Sequence, residues 1–157
     1  MLKEVVKRMV TLLDSIEINT TPEHVFNWLT NLRSGKDYQA WHPDHTEWRW
    51  IKGKPFQKGS VVHCEEYLHG ELHRLKFICT NIVTNRLIEY RPLFPWSLAM
   101  LSSSFTIEPK GEGGSIFIAA IKFRSFPFIE KVLKSQLGAI RLHMKEEGEN
   151  LKKILEG

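Results

Sequence analysis

The chain has 157 residues, of which 42% are hydrophobic and 25% charged, and a net charge of +4 at pH 7; these values fit one domain over 1–157 with a sizeable core. The modest charge, without a long basic run, gives no support for a nucleic-acid partner, and no apolar run approaches the roughly 20 residues that span a membrane. Charges run through the N-terminal segment, where a signal peptide would be apolar. We therefore expect a cytoplasmic protein, monomeric or homodimeric, with neither a nucleic-acid nor a membrane partner.

The first part of the chain predicts one strand followed by two short helices. Residues 12–20 alternate apolar and polar side chains, as a half-buried strand does, and residues 2–11 either extend that strand or form a short helix. Thr21-Pro22-Glu23 is typical of a helix start, with a capping threonine, proline at the first helical position and an acid in the first turn. A second short helix is expected over 34–40.

From about residue 46 the apolar period changes from that of a helix to that of a strand. Glycine, proline and asparagine breaks separate six predicted strands, near 46–52, 59–68, 71–83, 86–92, 97–108 and 115–124. A long helix then runs from 127 to about 155, with Ser125 as its expected cap. These elements predict an α+β fold in which an antiparallel sheet of about seven strands wraps one long helix, often with a cavity between them.

This order resembles the helix-grip fold of the START-like (SRPBCC) superfamily. That superfamily includes polyketide cyclases, lipid-transfer domains and the birch-pollen allergen group. The resemblance covers essentially the whole chain. It implies a pocket for a hydrophobic or aromatic small molecule but no particular chemistry.

On the last helix, His143 and Glu147 lie one turn apart. Glu147 falls within the apolar stripe of that helix and His143 falls at its edge; the stripe comprises Leu133, Leu137, Ile140, Met144, Leu151 and Ile154. A buried carboxylate is costly unless it is paired or binds a metal. The pair is therefore either a buried ion pair or part of a binding site.

The hairpin at His69-Gly70 predicts which strand residues face that helix. With a two-residue turn, Glu66 opposes His73 on the face of Cys64, whereas Glu65 opposes Arg74 on a polar face that belongs in water. Glu66 should therefore point inward. Cys64 and Cys79 are too few and too far apart for a thiolate zinc motif, so both are expected to be free, buried thiols.

The segment from Trp41 to His45 adds two histidines at the expected mouth of the cavity. One of them, His42 or His45, could join Glu66, His143 and Glu147. Two imidazoles and two carboxylates suit zinc or a similar divalent ion. The alternative is a polar loop with surface histidines.

These motifs also support a closer resemblance. The Trp41-His-Pro-Asp-His45 run, the 59–66 strand and the His143-x-x-x-Glu147 helix look like those of the diacetylphloroglucinol hydrolase and phloretin hydrolase family. Members of that family use zinc to cleave the carbon–carbon bond between an acyl group and a phenolic ring. The resemblance implies that zinc is held by His45, Glu66, His143 and Glu147, with His42 and Glu65 as alternatives for the first two.

Hydrolysis of such a bond also requires a proton for the departing ring carbon. His73 is our first candidate for the donor, with Tyr38 or the non-ligand histidine, His42, as alternatives; His73 could equally orient Glu66. Aromatic walls are expected from Trp41, Trp48, Trp50, Phe77, Trp96 and Phe105.

Three other functions compete with a zinc hydrolase. A metal-free START-like carrier would use the inner polar groups to hold one end of a hydrophobic ligand. A polyketide cyclase or dehydratase would use the inner His and Glu as acid and base. A protein-interaction module has only the apolar stretch 93–96 in its favour, which a pocket lip or a dimer contact explains as well.

Overall fold

Seven antiparallel strands form a single sheet in the computed structural model, which describes residues 8–125 and 127–157, without the side chains of 8, 127–130, 132 and 133. The strands follow the order β1-β7-β6-β5-β4-β3-β2. They are β1 (Arg8–Ile18), β2 (His45–Lys52), β3 (Val61–Leu68), β4 (Glu71–Val83), β5 (Leu87–Pro92), β6 (Met100–Lys110) and β7 (Gly114–Ser125). The helices are α1 (Pro22–Thr30), α2 (Gly35–Trp41) and the long α3 (Pro127–Glu156). This architecture confirms the predicted α+β, helix-grip fold class.

Element boundaries differ from the sequence prediction mainly at β1 and β6. β1 begins at Arg8 and ends at Ile18, so part of the ambiguous segment 2–11 extends the strand and the remainder lies outside the described residues. β6 begins at Met100 because Trp96–Leu98 form a short 3-10 turn, in which the Leu98 N–H donates to the Pro95 carbonyl. Ser125, the cap that the sequence predicts for α3, is the last residue of β7, and residue 126 before the first helical residue Pro127 is outside the described residues.

Both short helices are fixed by capping residues. The Thr21 side chain accepts a hydrogen bond from the His24 N–H, with Pro22 at the first helical position. At α2, Ser34 Oγ accepts from the Asp37 N–H at 3.3 Å, and the Asp37 carboxylate accepts from the Ser34 N–H at 3.2 Å. This reciprocal capping box satisfies two amide groups at the start of α2. It fixes the helix that carries two buried aromatic side chains, Tyr38 and Trp41.

α3 packs its apolar stripe against the sheet. Met144 and Leu151 are buried, whereas Ile154, which the sequence placed in the stripe, is 38% exposed. Two hydrogen bonds join α3 to the end of α2: the Trp41 indole N–H donates to the Glu147 carbonyl, and the Asn150 amide donates to the Trp41 carbonyl. Cys64 and Cys79 are free and buried, as predicted. None of the described helices is long and apolar enough to cross a membrane.

Candidate functional site

The β3–β4 hairpin has the predicted register. Glu66 pairs with His73, and Glu65 pairs with Arg74. Arg74 Nε donates to Glu65 Oε1 at 2.6 Å on the outer face. The predicted alternation therefore holds: Glu66 lines the cavity between the sheet and α3, whereas Glu65 lies on the opposite face.

On α3, His143 and Glu147 contact each other through their side chains. His143 Nε2 lies 3.4 Å from Glu147 Oε1, and His143 is only 7% exposed. The same Nε2 atom lies 3.6 Å from Glu66 Oε2 on β3. The helix pair and the inward strand glutamate thus form one cluster.

His45, the first residue of β2, completes this cluster. It is fully buried, and its Nε2 atom lies 3.1 Å from His143 Nε2, 3.4 Å from Glu147 Oε2 and 3.8 Å from Glu66 Oε2. Its Nδ1 atom lies 2.9 Å from the Tyr38 carbonyl oxygen. Because a carbonyl only accepts, Nδ1 carries the hydrogen, and a neutral ring presents the Nε2 lone pair to the cluster.

Tyr38 supports two members of the cluster. Its hydroxyl donates to Glu66 Oε2 at 2.8 Å. Its ring stacks on the His45 ring with centroids 3.6 Å apart. A hydrogen bond from the second imidazole nitrogen to a carbonyl, and hydrogen-bonded carboxylates, are typical of groups that hold a metal ion.

Three residues of the cluster bring single donor atoms close enough to share a metal ion. His45, His143 and Glu147 offer ligand atoms that all lie within 4.8 Å of one another; ligands about 2.0–2.2 Å from a tetrahedral ion lie about 3.3–3.6 Å apart. Glu66 Oε2 adjoins this group, at 3.6 Å from His143 Nε2 and 3.8 Å from His45 Nε2. Two imidazole nitrogens and a carboxylate, with a second carboxylate beside them, are a donor set that suits a divalent ion.

In the absence of a metal, a proton can stabilise the same cluster. Burial disfavours the charge of His143, but the nearby Glu147 and Glu66 carboxylates raise its pKa to about 9. Burial likewise raises the pKa of Glu66, but its contacts with His143, attraction to His45 and the Tyr38 hydrogen bond outweigh burial and lower it to about 2. An imidazolium at 143 between carboxylates is the predicted buried ion pair, and a metal would take the place of its proton.

His42 occupies a different environment from His45. Its Nδ1 accepts a hydrogen bond from the Asp44 N–H at 2.9 Å, so its Nε2–H donates to Glu146 Oε2 at 2.7 Å. Its ring packs against the His143 ring with centroids 4.4 Å apart. His42 is not part of the cavity lining, and both of its nitrogens are engaged, so its position does not suit the proton donor that the sequence suggested.

The cavity beside the cluster is bounded mainly by apolar and aromatic side chains. Its aromatic residues are Tyr38, Trp41, Trp48, Phe77, Tyr90, Trp96, Phe105 and Phe123. Trp50, expected in the wall, instead packs on Phe56 and donates to the Leu32 carbonyl. His73 does line the cavity, with its ring edge-to-face against Trp96 at 5.3 Å.

Sequence reasoning missed Glu146, Tyr90 and Ser103. Glu146 meets His42 across 104 positions of the chain, and no local pattern predicts such a contact. Ile88 and Tyr90 are two residues apart on β5, so their side chains lie on the same face of the strand, and both are buried. This period of two could have placed Tyr90 on the inner face.

Comparisons with known proteins agree with this geometry at the level of the fold. The family described as polyketide cyclase / dehydrase and lipid transport matches residues 9–156. No curated protein matches the sequence. The family match favours cyclase or carrier chemistry over zinc hydrolysis, which stays a prediction from the sequence motifs.

Several solved structures are similar along almost their whole length. The Zhui aromatase/cyclase of Streptomyces sp. R1128 has a TM-score of 0.78 at 13% identity and covers 95% of this chain and 94% of its own. A norcoclaurine synthase point mutant from Thalictrum flavum has a TM-score of 0.75 at 11% identity, with 97% of each chain covered. Major latex-like protein 151 of Panax ginseng has a TM-score of 0.60 at 17% identity, with 86% and 97% covered. At these identities the structures support the fold alone.

Proposed function

The chain belongs to the polyketide cyclase/dehydrase and lipid-transport family, and from its histidine–carboxylate cluster we propose that it is a metal-dependent hydrolase of a small aromatic substrate. The substrate is an acylated phenol that binds in the cavity between the sheet and α3. The reaction cleaves the carbon–carbon bond between the acyl group and the ring. Zinc is the proposed cofactor, held by His45, Glu66, His143 and Glu147.

The convergence of these donor atoms is the observation that carries the proposal. His45 and His143 bring two imidazole nitrogens to within 3.1 Å of each other, next to two carboxylates. His143, Glu66 and Glu147 line an aromatic cavity, whereas His45 is fully buried and does not itself line it. A divalent ion explains why all of these polar groups point at one another. The motif resemblance to zinc-dependent acyl–aryl hydrolases supports the same assignment.

A zinc ion bound by these residues would polarise the substrate carbonyl and lower the pKa of a water molecule toward about 7. The chain itself orients the donors: the Tyr38 carbonyl fixes the tautomer of His45, and the Tyr38 hydroxyl fixes Glu66. The aromatic wall excludes bulk water and packs against the substrate ring.

The ring carbon needs a proton when the bond breaks. The water oxygen bonds to the acyl carbon, the electron pair of the broken bond stays on the ring carbon, and a proton there gives the free arene and a carboxylic acid. His73 suits this step because it lines the cavity on the strand position opposite Glu66. Its ring forms no hydrogen bond with any described residue, whereas the Tyr38 proton is engaged by Glu66.

A metal-free cyclase, dehydratase or carrier is the second candidate, and the family match favours it. In that function the protonated His143 and the ionised Glu66 would act directly on the ligand, as an acid–base pair or as a polar anchor. Their pKa values of about 9 and about 2 keep both groups charged at neutral pH. Activity or binding would then be unaffected by chelators.

The test compares zinc-free and zinc-loaded protein on a panel of acylated phenols, with release of the carboxylic acid measured by chromatography. We expect hydrolysis only in the loaded protein. Glu147→Gln should abolish it, whereas Glu149→Gln, an exposed change on the same helix, should not. Turnover that is equal without zinc would contradict the proposal, and ligand binding without any zinc-dependent turnover would favour the carrier.

A further inference from the structure

Tyr90 and Ser103 bring two hydroxyl groups to one wall of the cavity. Tyr90 on β5 pairs directly with Ser103 on β6, and both residues line the cavity. Directly paired residues of antiparallel strands lie on one face with their Cβ atoms about 5 Å apart. The two side chains therefore face the same region of the cavity.

Neither hydroxyl has a partner among the residues that the structure describes. Tyr90 is only 5% exposed. Since every fully enclosed polar side-chain atom of the described residues has a hydrogen-bond partner, the Tyr90 oxygen is not fully enclosed, and Tyr90 lines the cavity. A buried hydroxyl of this kind is normally satisfied by a ligand or a water.

The side chains around Tyr90 are mainly apolar, so its hydroxyl is a hydrogen-bonding group in a mainly apolar part of the cavity wall. The Phe77 ring lies 5.9 Å from the Tyr90 ring, and Met100 and Phe123 line the same cavity. Burial, with a smaller contribution from Cys79 and Cys64, raises the pKa of Tyr90 well above its usual value. At neutral pH the side chain is therefore a phenol that can both donate and accept.

The hydroxyl pair and the four-residue cluster come from different elements around the same cavity. Tyr90 pairs with Cys79 on β4, whereas Glu66 pairs with His73, six residues away on the same strand. The Tyr90 side chain is close enough to Cys64 for that thiol to contribute to its raised pKa, and Cys64 lies two residues from Glu66 on the inner face of β3. One ligand in the cavity can therefore contact both places.

We propose that Tyr90 and Ser103 form a specificity subsite that binds a hydroxyl group of the ligand away from the reacting carbonyl. The substrate class is then an aryl ketone that also carries a hydroxyl group on its aromatic part. This inference rests on the proposed function for the acyl end, but the hydroxyl end requires no metal.

Two rigid probes that differ by one hydroxyl test the subsite: 4-acetyl-4′-hydroxybiphenyl and 4-acetylbiphenyl. Their dissociation constants are measured by tryptophan fluorescence on the zinc-free and zinc-loaded full-length protein. We expect the hydroxylated probe to bind about tenfold more tightly, in keeping with one or two hydrogen bonds. Tyr90→Phe should remove that preference while leaving the affinity for 4-acetylbiphenyl unchanged, and Ser103→Ala should reduce it.

Tyr67→Phe is the matched control, because Tyr67 is 42% exposed and does not line this cavity. It should keep the full preference. If wild-type protein binds both probes equally, or if Tyr90→Phe retains the preference, the subsite is overturned while the proposed function stands. If neither probe binds, the cavity does not accept an aryl ketone, and the proposed function falls together with the subsite.

Discussion

Tyr38 contacts two members of the cluster, His45 and Glu66. Its backbone carbonyl accepts from His45, its hydroxyl donates to Glu66, and its ring stacks on the His45 imidazole. Burial and the nearby Glu66 carboxylate raise the pKa of this phenol well above its usual value. It therefore stays protonated and holds Glu66 in place at neutral pH.

Tyr38→Phe should weaken zinc binding without unfolding the protein. The variant keeps the ring stack on His45 but loses the hydrogen bond to Glu66, and the loss of such a supporting bond typically costs about 10–100-fold in metal affinity. Competition with a chromophoric chelator measures the change. Tyr90→Phe, which removes a hydroxyl from the same cavity away from the cluster, should bind zinc as the wild type does; equal affinities for all three proteins would contradict the role of Tyr38.

His143 should make the stability of the metal-free protein depend on pH. Its pKa rises from 6.5 to about 9 on folding, so its stabilising contribution is complete below about pH 6.5 and is lost as the pH rises through about 9. The free energy of unfolding should fall by on the order of 2 kcal/mol between these values. Urea denaturation in a chelating buffer measures it, and His143→Gln should show a flatter profile; identical slopes would contradict the assignment.

Helix α2 positions Tyr38, and the local sequence at its start determines where this helix begins. It is only seven residues long, too short to be stable alone, yet it carries Tyr38 and ends at Trp41, which is hydrogen-bonded to α3. The Ser34–Asp37 capping box fixes where the helix starts. The cap therefore influences the cluster through the position of Tyr38.

Ser34→Ala should lower both stability and zinc affinity. Loss of an N-cap costs about 1 kcal/mol, and a frayed α2 would misplace Tyr38. Thr21→Ala removes the equivalent cap from α1, which contributes no residue to the cluster, so it should lower the melting temperature similarly but leave zinc affinity unchanged. Equal effects of the two variants on zinc affinity would show that α2 does not position the site.

Elements with a local signal were predictable from the sequence, and contacts between distant elements were not. A two-residue turn and strand alternation fixed the β3–β4 register, which separated Glu66 from Glu65. The 3-10 turn at Trp96–Leu98 interrupted an apolar run that otherwise reads as strand. Which histidine joins the cluster, His45 or His42, depends on how α2 packs against α3. The contact of His42 with Glu146 on α3 depends on the same packing.

The complete fold is needed to assemble the cluster, because its members come from β2, β3 and α3. A ligand that binds only the folded state stabilises it by mass action. One cavity is lined by three residues of the cluster (Glu66, His143 and Glu147) and by the Tyr90–Ser103 pair, among mainly apolar side chains. This arrangement fits a ligand with an acyl group and a separate hydroxyl group.

Zinc titration of the wild type, Glu66→Gln and Glu65→Gln tests the metal assignment most directly. The two variants remove the same charge from adjacent residues that face opposite sides of β3. We expect one zinc per chain in the wild type and in Glu65→Gln, and an affinity at least about tenfold lower in Glu66→Gln. Absence of stoichiometric zinc binding, or equal losses in the two variants, would contradict a metal centre at this cluster.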